Sequence, residues 1–286
     1  MSRPPTLELP EGARAHRLAT SRGTFAVLDA GTAVRGTALL VPGFTGSKED
    51  FIALLEPLAL AGYRVVAVDG RGQHETGGPA EESAYAQEEL AADVLAQTEA
   101  LGGTGPVHVL GHSLGGLIVR AAAISAPELP WASLTIMSSG PAAIDAEQQA
   151  RTRMLVEALP ALGMEAVWQA MRAMDAENAD APDVPPAVGE FLYRRWMGNV
   201  PEQLIATGKQ LVSEPDRVAE LAAVPVRVLV LSGAVDYAWP PEWLDDMALR
   251  LGARRVVIKG AEHSPNVEQP EATAEALIDF WSPKDE

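Results

Sequence analysis

Ser113 stands in Gly111-His112-Ser113-Leu114-Gly115-Gly116, with one glycine two places before it and another two places after. The apolar run Val107-His108-Val109-Leu110 precedes this segment and a helix-like stretch follows at 117–126, so the serine falls on a strand-to-helix turn. Such a turn strains the serine backbone and brings strand and helix so close that side chains at the flanking positions would collide; glycine removes the collision. This is the pattern of a nucleophile elbow, an exposed hydroxyl above the carboxyl end of a strand. The next backbone N–H, that of Leu114, is placed to receive a developing oxyanion.

A serine hydroxyl is a weak nucleophile until a base takes its proton, and near neutral pH that base is usually histidine. His108 and His112 lie in the elbow strand and its turn, and His16 lies in an early strand-like segment. His263, in Gly260-Ala261-Glu262-His263-Ser264-Pro265, follows the strand-like run 255–258 and so reaches a carboxyl edge. A third group must orient the imidazole and stabilise its cation. Asp236 follows the apolar run 226–231 in Gly233-Ala234-Val235-Asp236, and Asp145, beyond a run that ends at Met137, is the rival. The favoured order is Ser113, Asp236, His263. Plainer roles remain for each: a tight turn for Ser113, a structural loop for His263 and a helix cap for Asp236.

The elements that must position these residues follow from periodicity. Residues 13–18 and 23–29 form an antiparallel pair, and 37–41 is a buried strand. An amphipathic stretch at 47–61 begins at the N-cap Ser47 and stops at Gly62, followed by a strand at 63–68. A helix at 85–101 leads to the elbow strand 107–110, and 134–137 is a further strand. From 141 to 222 the pattern turns helical, rich in Ala, Met, Glu and Gln, with breaks expected at Pro160 and at 181–186. Strand and helix then alternate again, with strands at 226–231 and 255–258 and helices at 241–251 and 271–281. This rhythm predicts βαβ units around a mainly parallel sheet. An insert between two strands suggests a cap over the carboxyl edge, where open α/β sheets bind ligands.

With 286 residues the chain can bury a sizeable core, either as one large domain with an insertion or as two small ones. No apolar run reaches the ~20 residues of a membrane span. The net charge of −17 disfavours nucleic acid and anionic membrane surfaces. The absence of cysteine excludes disulfides, thiolate nucleophiles and cysteine-type zinc sites. The first residues lack the apolar segment of a signal peptide, so a cytoplasmic location is expected.

Taken together, Val41-Pro42-Gly43-Phe44, Asp69-Gly70-Arg71-Gly72, the elbow, Gly233-x-x-Asp236 and Glu262-His263 make the chain resemble capped α/β hydrolases of the serine esterase and lipase type over nearly its whole length. The resemblance implies a core domain of residues 1–140 and 223–286, with a mainly parallel central sheet flanked by helices, and a helical cap at 141–222. It also implies that the Phe44 N–H is a second oxyanion donor. Two positions depart from the family: Pro42 replaces a histidine, and Gln73-His74-Glu75-Thr76 replaces the usual continuation of the Asp-x-Arg-Gly segment. His74 and Glu75 there could select substrate or form an ordinary surface loop. Arg71 suits a fixed pairing with a carboxylate better than substrate binding.

The implied reaction is hydrolysis of a carboxylic ester or related small acyl substrate through an acyl-enzyme. Lactone, amide or carbon–carbon bond hydrolysis, acyl transfer, perhydrolysis and a low-turnover binding role remain open on the same scaffold. Haloalkane dehalogenases and epoxide hydrolases of this fold have aspartate where this chain has Ser113. The reading calls for no metal or organic cofactor, a small-molecule acyl substrate, no nucleic acid and no membrane, and it leaves the oligomeric state open. Candidate pocket residues are His112, Trp168, Met171, Trp196 and Trp239; the aromatic and Met residues of the insert could equally pack cap to core.

Overall fold

The structure, a computed structural model, describes residues 1–103, 105–128, 131–177 and 184–282. Eight strands form one sheet: β1 (Arg14–Thr20), β2 (Gly23–Ala30), β3 (Gly36–Val41), β4 (Tyr63–Val68), β5 (Val107–His112), β6 (Trp131–Met137), β7 (Val228–Gly233) and β8 (Arg254–Ile258). Their order is β1-β2-β4-β3-β5-β6-β7-β8. β2 is antiparallel to both of its neighbours, and the strands from β4 to β8 are parallel.

The inner strands are apolar on both sides, as a sheet covered by helices requires, whereas the edge strand β1 is largely exposed. Leu39, Val41, Val66, Val109, Ile136 and Val230 join one cluster, together with α2 (Gln87–Leu101), α3 (Leu114–Ser125), α7 (Val218–Ala222) and α8 (Pro241–Leu251). The alternate residues Ala38, Leu40, Val65, Leu110, Met137 and Leu231 face the other way, against α1 (Ile52–Leu60) and α10 (Pro270–Trp281). Period-two alternation thus builds two cores from one set of strands. After β3 the chain crosses outward to β4 and then returns past β3 to β5. The carboxyl ends of β3 and β5 are therefore a switch point, where a crevice opens.

Between β6 and β7 the regular elements among the described residues are helices: α4 (Ala146–Glu177), α5 (Pro186–Met197), α6 (Pro201–Ser213) and the short α7. Leu159, Trp168, Phe191, Leu192, Trp196 and Leu204 form a third cluster inside this segment. Val218 and Leu221 of α7 instead belong to the main core.

Several predicted elements differ from the observed ones: β6 begins at Trp131 rather than at 134, and β7 spans Val228–Gly233 rather than 226–231. The elbow strand runs on to His112. A 3₁₀ turn, Lys48–Phe51, precedes α1, because the Ser47 N–H bonds to Asp50 Oδ2 at 3.3 Å. The helix expected to break at Pro160 continues to a kink at Gly163, whose φ is +78°. A reversal needs a positive φ, which proline cannot adopt and glycine can. The break expected at 181–186 lies partly outside the described residues. The short α9 (Pro265–Glu268) completes the elements.

Candidate active site

Ser113 follows β5 directly, with φ +55° and ψ −120°. A non-glycine residue there carries strain of about 1–3 kcal/mol, which its surroundings must hold in place. The Ser113 N–H bonds to the Met137 carbonyl at 2.9 Å, tying the turn to β6. A Cβ on Gly111 would overlap the carbonyl of Gly115, and one on Gly115 would overlap the carbonyl of Val41. Both obstacles are backbone, so neither can swing aside.

β7 and β8 deliver the other two side chains to the same edge. His263 Nε2 lies 3.1 Å from Ser113 Oγ, and His263 Nδ1 lies 2.9 and 3.0 Å from the two oxygens of Asp236. The carboxylate can only accept, so Nδ1 carries the proton and Nε2 presents its lone pair to the serine hydroxyl. Asp236 Oδ1 also accepts the N–H groups of Ala238, at 2.8 Å, and Trp239, at 3.1 Å. This row can carry the Ser113 proton to His263 while Asp236 holds the imidazolium. Asp145 serves elsewhere, its Oδ1 accepting the Glu147 N–H at the start of α4.

Beside Ser113 run Gly43, Phe44 and Thr45, the segment that follows β3. Among the described residues, neither the Phe44 nor the Leu114 N–H donates a hydrogen bond. Gln73 fixes this segment: its Nε2 donates to the Gly43 carbonyl at 2.8 Å and its Oε1 accepts the Gly70 N–H at 3.0 Å. Nearby, the buried Lys48 ammonium meets Glu49 at 2.8 Å and Asp69 and Glu75 at 3.0 Å each. Burial alone would lower its pKa, but the carboxylates outweigh it and keep the ammonium charged, well above its ordinary range. Arg71 pairs with Asp93, Nε to Oδ2, at 2.7 Å. His74 sets its ring edge-on to Phe191 of α5.

The sequence predicts an exposed serine; in the structure Ser113 is 8 % exposed and faces a cavity of about 170 Å³. Ile144, Gln148, Thr152 and Leu211 of the helical segment line one side, with Tyr237, Ala238, Met1 and Ser2 on others. No Asp, Glu, Lys or Arg side chain lines it among the described residues. His112 lines the cavity, and its Nε2–H donates to the His263 carbonyl at 2.8 Å. Burial pushes its pKa down to about 3, so it stays neutral, and Nδ1 has no hydrogen-bond partner.

The other candidate pocket residues lie elsewhere. Trp239 stacks behind His263 at 6.3 Å and donates its indole N–H to Ala142. Trp168 and Trp196 are buried inside the helical segment, Trp196 bonding to the Met164 carbonyl, and Met171 packs against the same cluster. Each of these indoles has more to gain from apolar neighbours within its own layer than from a small polar cavity. Sequence reading passed over Gln73 and Ser2. Tyr237 could have been found, since it adjoins Asp236. Among the described residues no group of three or more His, Asp or Glu side chains is arranged to hold a metal ion.

The model of the alpha/beta hydrolase family matches residues 38–276. The chain belongs to the alpha/beta hydrolase family. An esterase from Thermogutta terrifontis superposes with a TM-score of 0.73 at 26% identity, covering 93% of this chain and 97% of that one. A hydrolase from Pseudomonas aeruginosa PA01 superposes at 0.76 with 25% identity, covering 94% and 99%. In sequence, the alpha/beta hydrolase chain is 24% identical over 263 residues to a Bacillus subtilis protein provisionally named 2-succinyl-6-hydroxy-2,4-cyclohexadiene-1-carboxylate synthase, covering 90% of this chain and 94% of that one. No helix among the described residues is long and apolar enough to cross a membrane.

Proposed function

We propose that this chain is a serine hydrolase of small, uncharged carboxylic esters. The observation that carries the reading is the unbroken row Asp236, His263, Ser113, ending beside two backbone N–H groups that have no acceptor among the described residues. Ser113 Oγ attacks the ester carbonyl as His263 Nε2 takes its proton, and Asp236 holds the resulting imidazolium. The oxyanion forms between the N–H groups of Phe44 and Leu114, in a site where fixed donors need no reorganisation. The tetrahedral intermediate collapses as His263 returns the proton to the leaving alcohol. Water, activated by the same histidine, then attacks the acyl-enzyme and releases the acid and Ser113.

The cavity supports the substrate class. Its volume of about 170 Å³ is close to that of an apolar protein cavity that admits benzene, about 150 Å³, so a short acyl or small aromatic group fits. A substrate bearing carboxylates, such as the compound for which the Bacillus subtilis protein is named, meets no Lys or Arg side chain there among the described residues. In this reading the 141–222 insertion caps a core of 1–140 and 223–286 through its helices α4 to α6, while α7 packs into that core, and Ile144, Gln148, Thr152 and Leu211 of the insertion line the cavity.

The test is intact mass after incubation with a small fluorophosphonate, together with turnover of p-nitrophenyl esters. One adduct on the wild type, none on Ser113→Ala, and sustained turnover of short esters are expected. Turnover undiminished in Ser113→Ala overturns the nucleophile, and no turnover of any ester overturns the substrate class.

A further inference from the structure

Residues 1–12 form no strand or helix, yet Met1 and Ser2 reach the cavity. Met1 and Ser2 line it, Pro4 is buried, and Leu7 packs against the cluster within the helical segment. Ser2 is held at two points. Its Oγ lies 3.0 Å from the Oγ of Ser264, the residue after His263, and its carbonyl accepts Arg195 Nη2 at 2.7 Å. Arg195 belongs to α5, and its Nη1 meets Asp50 Oδ1 at 2.6 Å, both side chains being fully buried. Asp50 lies below the oxyanion segment, where its Oδ2 accepts the Ser47 N–H, and its carbonyl accepts Asn266 Nδ2 at 2.7 Å.

One buried guanidinium thus joins α5, the segment after β3 and the N-terminal arm. A buried ion pair adds little net stability, because desolvation offsets most of its attraction; its best attested use is to fix register. Here the register it fixes is that of a coil with no strand or helix ladder to hold it. The position of the arm indicates which part of a substrate it meets. The leaving alcohol must lie against His263, which protonates it, and Ser2 lies against the neighbouring Ser264. Ile144, Gln148 and Leu211 line the same cavity.

Resting on the ester-hydrolase reading, we propose that the arm Met1–Ser2, clamped by Arg195, is a specificity element that limits the size of the leaving alcohol. The arm supplies wall rather than chemistry, so altering it changes which esters are cleaved and leaves the reacting groups in place.

The experiment compares the full chain with a variant lacking residues 2–4, using two ester series. One holds the acyl group at acetyl and varies the alcohol from methyl to hexyl and benzyl; the other holds p-nitrophenol and varies the acyl chain. Intact mass establishes whether each preparation begins at Met1. The deletion is expected to raise kcat/KM for hexyl and benzyl acetate relative to methyl acetate by about tenfold or more, with the acyl profile unchanged. A second variant, Ser2→Trp in the full chain, covers the case in which the deletion does not fold. It is expected to lower the bulky acetates relative to methyl acetate by a similar factor. Unchanged alcohol profiles, or a change confined to the acyl series, overturn the proposal while leaving the hydrolase reading intact. A full chain that cleaves no ester in either series overturns the hydrolase reading and the proposal together.

Discussion

The elbow between β5 and α3 and the helical segment between β6 and β7 both border the same cavity, but they are specified differently. At the elbow, backbone approaches backbone: Gly111 and Gly115 leave no room for a methyl group, and Ser113 is held at φ +55°. In the helical segment side chains make the contacts, and large apolar residues such as Met154, Leu162 and Met174 remain exposed. The contrast teaches that reacting groups need positions set by the main chain, whereas the walls around a substrate can be built from side chains that tolerate change.

The largest effect tests the chemical side of this contrast. Ser113→Ala and Asp236→Asn should each lower kcat by about 10⁴-fold or more while the melting temperature stays near wild type. Asp145→Asn, at the start of the helical segment, should keep nearly full activity. Equal losses in Asp145→Asn and Asp236→Asn would erase the distinction. Next come the glycines. Gly115→Ala pushes a methyl group into the Val41 carbonyl and should destabilise the fold by about 3 kcal/mol or more, measured by urea unfolding. Gly163→Ala has a positive φ but open space around it, and should cost only about 1 kcal/mol. Equal costs would show that strain alone, rather than backbone contact, sets the difference.

A pH experiment sharpens the comparison further. His108, in β5, bonds through Nδ1 to Ser133 Oγ and stacks on Trp281, and burial pushes its pKa down to about 4. The unfolded chain therefore takes up a proton near pH 6.5 that the folded chain refuses until about pH 4. Its share of stability is complete above pH 6.5 and is lost as the pH falls through that window, to the extent of about 2–3 kcal/mol. The stability gap between wild type and His108→Asn should narrow from pH 8 to pH 4. Removing the exposed Arg151–Glu147 pair of α4 should shift stability by less than about 0.5 kcal/mol across the same range. A gap that stays constant for His108→Asn would mean the imidazole titrates normally.

The same contrast explains what could be read in advance. Ser113, Asp236 and His263 each follow an apolar run closed by glycine or a turn, so their arrival at one sheet edge could be read from strand periodicity and order. The alternation of Leu39 with Leu40, or of Val109 with Leu110, likewise carries both cores. Helical spacing marks Trp168 and Trp196 as apolar but does not say whether a neighbouring helix or a cavity receives them, and the structure gives them to neighbouring helices. Gln73 and Ser2 left no periodic signal at all. Their roles arise from contacts between segments far apart in the chain, Gln73 with Gly43 and Ser2 with Arg195 and Ser264.

The order of strands also has a consequence for synthesis. β6 is flanked by β5 and β7, yet the whole helical segment from α4 to α7 is made before β7 exists. During that interval the nascent chain displays β6 as an unpaired edge, with Leu134, Thr135, Ile136 and Met137 awaiting partners that come only with Val228, Leu229, Val230 and Leu231. A bare, apolar edge is a template for pairing with other chains. A ribosome-bound chain that stops short of β7 is therefore exposed to edge-to-edge pairing for as long as the helical segment is being made, and pairing of β7 with β6 ends that exposure.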